Sequence, residues 1–216
     1  MALLPSEVDD YLTALAGVGM SDVVLDEMEA RAREHRFPIV GRAVGRHLEL
    51  QARAIGARRV MELGSGYGYS AYFFARAVGA EGRVICTDGD ADNAAHAERY
   101  LRRAGLWDRI DYRVGDALTS FAAVDGDFDV VYCDIDKDGY PDAWEAARDR
   151  VRVGGLFVCD NTLWGGRVAG LVVEPQEYDK LTPPIAAMTR AVADDERYVT
   201  SLVPLRDGVL VALRVA

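Results

Sequence analysis

Two apolar runs of the sequence end in oxygen-bearing side chains. Leu156-Phe157-Val158-Cys159 is closed by Asp160-Asn161. Asp129-Val130-Val131-Tyr132-Cys133 is closed by Asp134, with Asp136 and Lys137 just beyond. If both runs are buried strands of one parallel sheet, their ends reach the same edge, where carboxyl ends of strands form a ligand crevice. Asp134, Asp160 and Asn161 then make an all-oxygen donor set. It suits Mg²⁺, Mn²⁺ or Ca²⁺ and suits zinc poorly. Singly, Asp and Asn serve turns and caps more often than metals; three at neighbouring strand tips favour the metal. Beside a divalent cation an ammonium is disfavoured, which makes Lys137 a candidate base. The alternative is a solvated lysine in a polar loop.

A glycine-rich segment, Glu62-Leu63-Gly64-Ser65-Gly66-Tyr67-Gly68-Tyr69-Ser70, sits between a short apolar run and a helical pattern. Glycines there let the backbone approach a ligand, and the helix N-terminus offers free N–H groups to a carboxylate or phosphate. The glycines at 64, 66 and 68 depart from the dinucleotide pattern, in which the third falls three residues after the second. Asp88, about twenty residues past the loop, is placed to accept ribose hydroxyls of a nucleoside cofactor, while Asp90 reads as the cap of the next helix. Asp116-Ala117 ends a further strand and would line the same crevice near an adenine, although alone it reads as a turn.

Other tempting residues read as packing or surface. His35, His47 and His96 lie in helical stretches without partners at ligand spacing. Tyr72-Phe73-Phe74 reads as core, and Arg99-Arg102-Arg103 as a solvated helix face. Tyr140, Trp144 and Trp164 flank the acidic residues and read equally as a substrate wall and as core.

The elements that must position these residues alternate. Residues 6–36 read as two helices with Ser21-Asp22 as the cap between them, and 39–55 as a third. Strands are expected at 59–63, 82–88, 110–114, 128–134 and 155–159, with helices at 70–78, 91–104 and 141–151. Such alternation implies a parallel sheet covered on both faces. Two last strands, 198–205 and 209–215, flank Arg206-Asp207-Gly208, whose Asp-Gly favours an antiparallel hairpin. The expected class is therefore α/β, a Rossmann-like doubly wound, mostly parallel seven-stranded sheet with a C-terminal antiparallel hairpin. N-terminal helices (1–55) precede a sheet core (56–216) in a single domain. Residues 165–184, rich in glycine and proline, read as a mobile loop over the site.

The whole chain bounds these readings. At 216 residues it suffices for one full core. A formal charge of −10 argues against nucleic acid or an anionic membrane as the main partner. The N-terminus shows no signal-peptide pattern, and no run approaches the roughly 18 apolar residues of a membrane span. Cys86, Cys133 and Cys159 form no close-spaced pair and read as buried hydrophobes in a reducing cytoplasm.

Val60 to Ser70, Asp134-Ile135-Asp136-Lys137 and Asp160-Asn161-Thr162-Leu163-Trp164 together resemble the cation-dependent, S-adenosylmethionine-dependent O-methyltransferases. That family includes the caffeoyl-coenzyme A and catechol enzymes and many bacterial members. The resemblance runs from Ile39 to the C-terminus. It implies that Glu62, Gly64, Ser65, Gly66 and Ser70 hold the methionine part of the cofactor, that Asp88 binds the ribose, and that Asp116 with Ala117 flanks the adenine. Asp134 and Asp136 would approach the cofactor, and Val40 would make a further contact. Asp134, Asp160 and Asn161 would ligate the cation, usually Mg²⁺, with Lys137 and Asp134 catalytic. The expected acceptor is a small phenol with two vicinal oxygens. A homodimer is expected, with the N-terminal helices at its interface or at the substrate mouth. Three rivals remain at this stage: a metal-independent methyltransferase, a nicotinamide-dependent reductase, and a non-catalytic cofactor-binding protein.

Overall fold

The computed structural model describes residues 4–19, 22–171 and 177–216. Three helices open the chain: α1 (Ser6–Gly17), α2 (Val23–His35) and α3 (Gly41–Ala54). Then β1 (Arg59–Leu63), α4 (Tyr69–Ala77), β2 (Arg83–Asp88), α5 (Ala91–Arg103), β3 (Ile110–Val114), α6 (Ala117–Ala122), β4 (Phe128–Cys133), α7 (Tyr140–Ala147) and β5 (Val151–Cys159) alternate. The chain ends in α8 (Thr182–Asp194), β6 (Tyr198–Val203) and β7 (Val209–Arg214).

The seven strands form one sheet in the order β3-β2-β1-β4-β5-β7-β6. Strands β1 to β5 pair in parallel, and β7 runs antiparallel to both β5 and β6. The order turns back between β1 and β4, so the crevice of this doubly wound sheet opens above their carboxyl ends. Residue-by-residue alternation sorts the strands onto two cores. Val60, Cys86, Val130, Tyr132 and Val158 face the cluster under α3, α4 and α5. Met61, Leu63, Val131, Phe157 and Leu210 face the cluster under α6, α7 and α8. On the second face, Trp144 lies 5.0 Å from the rings of both Phe157 and Tyr198 and is buried. The structure thus settles Trp144 as core.

The N-terminal helices are fastened to α4 and the loop before it by polar contacts. The Tyr67 hydroxyl donates to the Met28 carbonyl at 2.9 Å, the Tyr69 hydroxyl to Glu29 at 2.7 Å, and the Tyr72 hydroxyl to Asp22. Asp22 also caps α2, accepting from the Val24 N–H at 2.8 Å. Ser21, the other half of the expected cap, lies outside the described residues. Helix α3 meets α4 so closely that a Cβ on Gly45 would overlap the Phe73 ring.

Two helices depart from the sequence reading. α6 follows Asp116, which accepts the Thr119 N–H at 2.7 Å as its cap. α8 carries Pro183 and Pro184 in its first turn, where proline's missing N–H costs no helical bond. Ile185, Met188 and Val192 bury its inner face. Within the expected loop 165–184, Trp164–Ala169 and Glu177–Leu181 form 3-10 turns, and residues 172–176 lie outside the described residues. β5 starts four residues earlier than expected, pairing Val151 with Phe128.

Candidate active site

The glycine segment runs from β1 into α4 at the centre of the sheet. Gly64 has φ +83°, and a Cβ there would run into the Asp134 carbonyl on the neighbouring strand end. Only glycine permits that approach. The loop is stitched to β2: the Ser65 N–H donates to the Thr87 carbonyl at 2.8 Å, the Thr87 N–H to the Ser65 hydroxyl at 3.2 Å, and the Gly64 N–H to the Thr87 hydroxyl at 3.2 Å. Gly68, at φ 86°, then starts α4, which places the first free N–H groups of that helix beside Tyr69 and Ser70.

Asp88 ends β2 and holds the loop from the side. Its carboxylate accepts the Gly66 N–H at 3.0 Å, the Asp90 N–H at 2.9 Å and the Asn93 amide at 3.0 Å. Asp90 caps α5 through the Asp92 N–H. The Tyr112 hydroxyl donates to the Gly66 carbonyl, and the Gly115 N–H donates to the Asp88 carbonyl at 2.9 Å, so Asp116 and Ala117 adjoin Asp88. Val40, buried, stands immediately before α3.

Glu62 is the most unusual group at this edge. It is fully buried, and neither carboxylate oxygen has a hydrogen-bond partner among the described residues. Burial pushes its carboxyl up to about 7, against the opposing pull of the Ser65 and Ser70 hydroxyls. A buried carboxylate without partners is costly, and a cationic or donor ligand would satisfy it.

Asp134 and Asp160 follow Cys133 and Cys159, which pair across β4 and β5. The Asp160 N–H donates to the Cys133 carbonyl at 3.1 Å, and the Asp134 N–H to the Leu63 carbonyl at 2.9 Å. Asp160 is buried, and its Oδ1 has no partner among the described residues. Burial, then the Asp134 charge, raises its carboxyl above the ordinary range. Lys137 Nζ donates to Asp134 Oδ1 at 3.0 Å and to the Ile135 carbonyl at 3.1 Å. Burial alone would lower the lysine, but the carboxylates outweigh it and hold the ammonium above its usual range. The Tyr140 hydroxyl donates to the Asp160 carbonyl at 2.9 Å. Asn161 adopts φ 55°, a left-handed conformation that asparagine tolerates. Asp136 is exposed. Among the described residues no three His, Cys, Asp or Glu side chains group as a metal site. The donor set at the tips is two carboxylates and one amide, and the orphaned Asp160 oxygen fits a hard cation.

The chain therefore brings Gly64, Asp134 and Asp160 together through backbone contacts, with Lys137 on Asp134. Asp88 and Asp116 form a second group along the same edge. Sequence reasoning passed over Thr87, Asn93, Tyr112 and Asp207, which hold these residues in place. Only Asp207 carried a signal, as part of an Asp-Gly turn and of the family resemblance, and neither pointed to its hold on Gly165.

Comparison with known proteins gives this arrangement a family. The O-methyltransferase family model matches residues 20–215. The chain is 33% identical to the caffeoyl-CoA O-methyltransferase of Pinus taeda, over 79% of this chain and 69% of that one. A methyltransferase from Geobacter sulfurreducens superimposes with a TM-score of 0.80 at 31% identity, covering 99% of this chain and 98% of the other. An O-methyltransferase from Bacillus cereus in complex with SAH superimposes with a TM-score of 0.82 at 26% identity, covering 96% and 97%. With residues 20–215 matched by the family model and a relative 33% identical over most of its length, this chain belongs to the O-methyltransferase family.

Proposed function

We propose that this protein transfers the methyl group of S-adenosylmethionine to a hydroxyl of a small phenol bearing two vicinal oxygens, with a divalent cation, Mg²⁺ first, held by Asp134, Asp160 and Asn161. The observation that carries this reading is the buried, unpartnered Asp160 Oδ1 beside Asp134 at the strand tips. Such a cation would supply charge stabilisation for the phenolate oxygens and fix their position. Without it, two neighbouring carboxylates at a buried edge repel one another.

The remaining roles fall to the chain itself. Glu62 accepts the ammonium of the methionine moiety, and the α4 N-terminus at Ser70 takes its carboxylate. Gly64 and Gly66 admit the ligand to the backbone, with Ser65 securing the loop to Thr87. Asp88 accepts ribose hydroxyls, and Asp116 with Ala117 flanks the adenine. Val40 and Asp136 approach the donor from either side of the crevice. Lys137 Nζ, positioned by Asp134 and Ile135, takes the acceptor's hydroxyl proton in its neutral form, which a cation held by Asp134 and Asp160 would favour over the ammonium, as the methyl passes from sulfur to oxygen. Most of the acceleration comes from alignment and fixed charge. Membership of the O-methyltransferase family leaves the nicotinamide reading without support.

The same proposal includes a homodimer in the cytoplasm. Val8, Tyr11 and Leu15 recur at three- and four-residue steps along α1, with Val18 as its C-cap, and Tyr11, Leu15 and Val18 are 64%, 56% and 68% exposed. An apolar stripe that open suits a second copy. The free, buried cysteines support a reducing compartment, and among the described residues no helix is long and apolar enough to cross a membrane. Methyl transfer to a catechol panel, with and without a chelator, tests the proposal; turnover that survives chelation favours the metal-independent rival.

A further inference from the structure

The turn between β6 and β7 touches both walls of the crevice mouth. On one side the Gly208 and Asp207 carbonyls accept the Thr162 and Leu163 N–H groups at 3.0 and 2.8 Å, and Asp207 Oδ1 accepts the Gly165 N–H at 2.5 Å. This fixes the loop that follows Asp160-Asn161. On the other side Arg206 Nη1 donates to the Ile39 carbonyl at 2.5 Å. Its side chain lies over Gly41, where a Cβ would stand 3.2 Å from Nη1. The guanidinium thus spans from the hairpin to the segment carrying Val40.

Among the described residues, Arg206 makes this one hydrogen bond and no ion pair, and it is exposed. A guanidinium carries five N–H donors in a planar fork, so most of them have no partner among the described residues. Other cations nearby are committed: Lys137 to Asp134, Arg42 to Asp26 and Glu29, Arg167 to Asp179. Its backbone sits at φ 51°, a conformation that suits glycine better than arginine. Strain at a mouth residue with open donors points to use. A chain of net charge −10 repels anionic ligands unless a local cation receives them.

We propose that Arg206 is a specificity-determining residue that binds a carboxylate on the methyl acceptor, so that vicinal-diol aromatic acids are preferred over neutral or cationic catechols. Arginine suits this because its fork matches a carboxylate in two parallel hydrogen bonds. The inference rests on the vicinal-diol reading of the acceptor.

The test is calorimetric binding to the full chain loaded with S-adenosylhomocysteine and Mg²⁺. The probes are 3,4-dihydroxybenzoate, catechol and dopamine, and the proteins are wild type, Arg206→Lys and Arg206→Gly. Glycine at φ 51° relieves strain, which protects folding of that variant. The expected result is about tenfold or greater preference for the acid over catechol in wild type. That preference is partly kept in Arg206→Lys and lost in Arg206→Gly. Equal affinity for acid and catechol in wild type, or an undiminished preference in Arg206→Gly, overturns the assignment. Turnover measured on the same probes reports separately on methyl transfer: an acid that binds through Arg206 without being methylated refutes the proposed reaction and leaves the anion site standing.

Discussion

Asp134 and Asp160 stand at facing strand tips, each one residue beyond the paired Cys133 and Cys159 of β4 and β5. The two differ in their surroundings. Asp134 is held by Lys137 at 3.0 Å, whereas Asp160 Oδ1 is buried without a partner among the described residues. One carboxylate has a cationic partner within the chain, and the other has a buried oxygen without one among the described residues.

Gly64 is what lets β1 pass so close to Asp134. In Gly64→Ala the added Cβ meets the Asp134 carbonyl and must adopt φ near +83°. Left-handed strain of ~1 kcal/mol plus backbone displacement gives a loss of at least about 2 kcal/mol. Thermal unfolding should show Tm lowered by roughly 4 °C or more, with S-adenosylhomocysteine binding weakened as well.

Glu62 makes stability depend on pH. Its folded carboxyl titrates at about 7 against an ordinary 4.5, so the folded state binds more protons between these values. Stability is therefore fully present below the ordinary value and falls as pH rises to about 7, by up to about 3 kcal/mol. Chemical denaturation from pH 4.5 to 8 should show this slope in wild type and a shallower one in Glu62→Gln, where the raised Asp160 carboxyl still contributes. Binding of S-adenosylhomocysteine, which carries the same ammonium, should tighten over that range in wild type only. A slope undiminished in Glu62→Gln contradicts the assignment.

Lys137 is the proposed proton acceptor. Lys137→Ala should lower kcat by about 100-fold or more, in the range of general bases, while S-adenosylhomocysteine affinity stays within threefold, roughly 0.6 kcal/mol. Wild-type kcat in Lys137→Ala removes the lysine from the chemistry.

The apolar stripe on α1 should pair two copies. Light scattering is expected to give a dimer for wild type and a monomer for Leu15→Glu, which sets a charge in the middle of the stripe. A monomeric wild type ends the dimer proposal.

The sheet was legible because its strands are short apolar runs punctuated by Gly and Asp, and β1 to β4 fall within a residue or two of expectation. The strand order was not, since pairing between β1 and β4 depends on contacts that no local pattern records. The missed α8 shows a specific error. Pro183-Pro184 reads as loop, yet Ile185, Met188 and Val192 recur at three- and four-residue steps just after it, and proline belongs in a first helical turn. Asp116 reads from the sequence as a turn or as a neighbour of the adenine, and neither reading includes its capping of α6. At the site, the placement of Asp134 and Asp160 at adjoining tips followed from strand ends alone. The supporting bonds from Thr87, Tyr112 and Asp207 did not, because they come from residues 22 to 46 positions away.

The most direct measurement is turnover of 3,4-dihydroxybenzoate and catechol with S-adenosylmethionine, followed by product mass, for wild type and Asp160→Ala, each with chelator and with Mg²⁺ restored. Expected is addition of one methyl by wild type, abolished by the chelator, restored by Mg²⁺, and absent from Asp160→Ala under every condition although that variant still binds S-adenosylhomocysteine. Full wild-type turnover in chelator, or an active Asp160→Ala, would contradict a cation held at the strand tips.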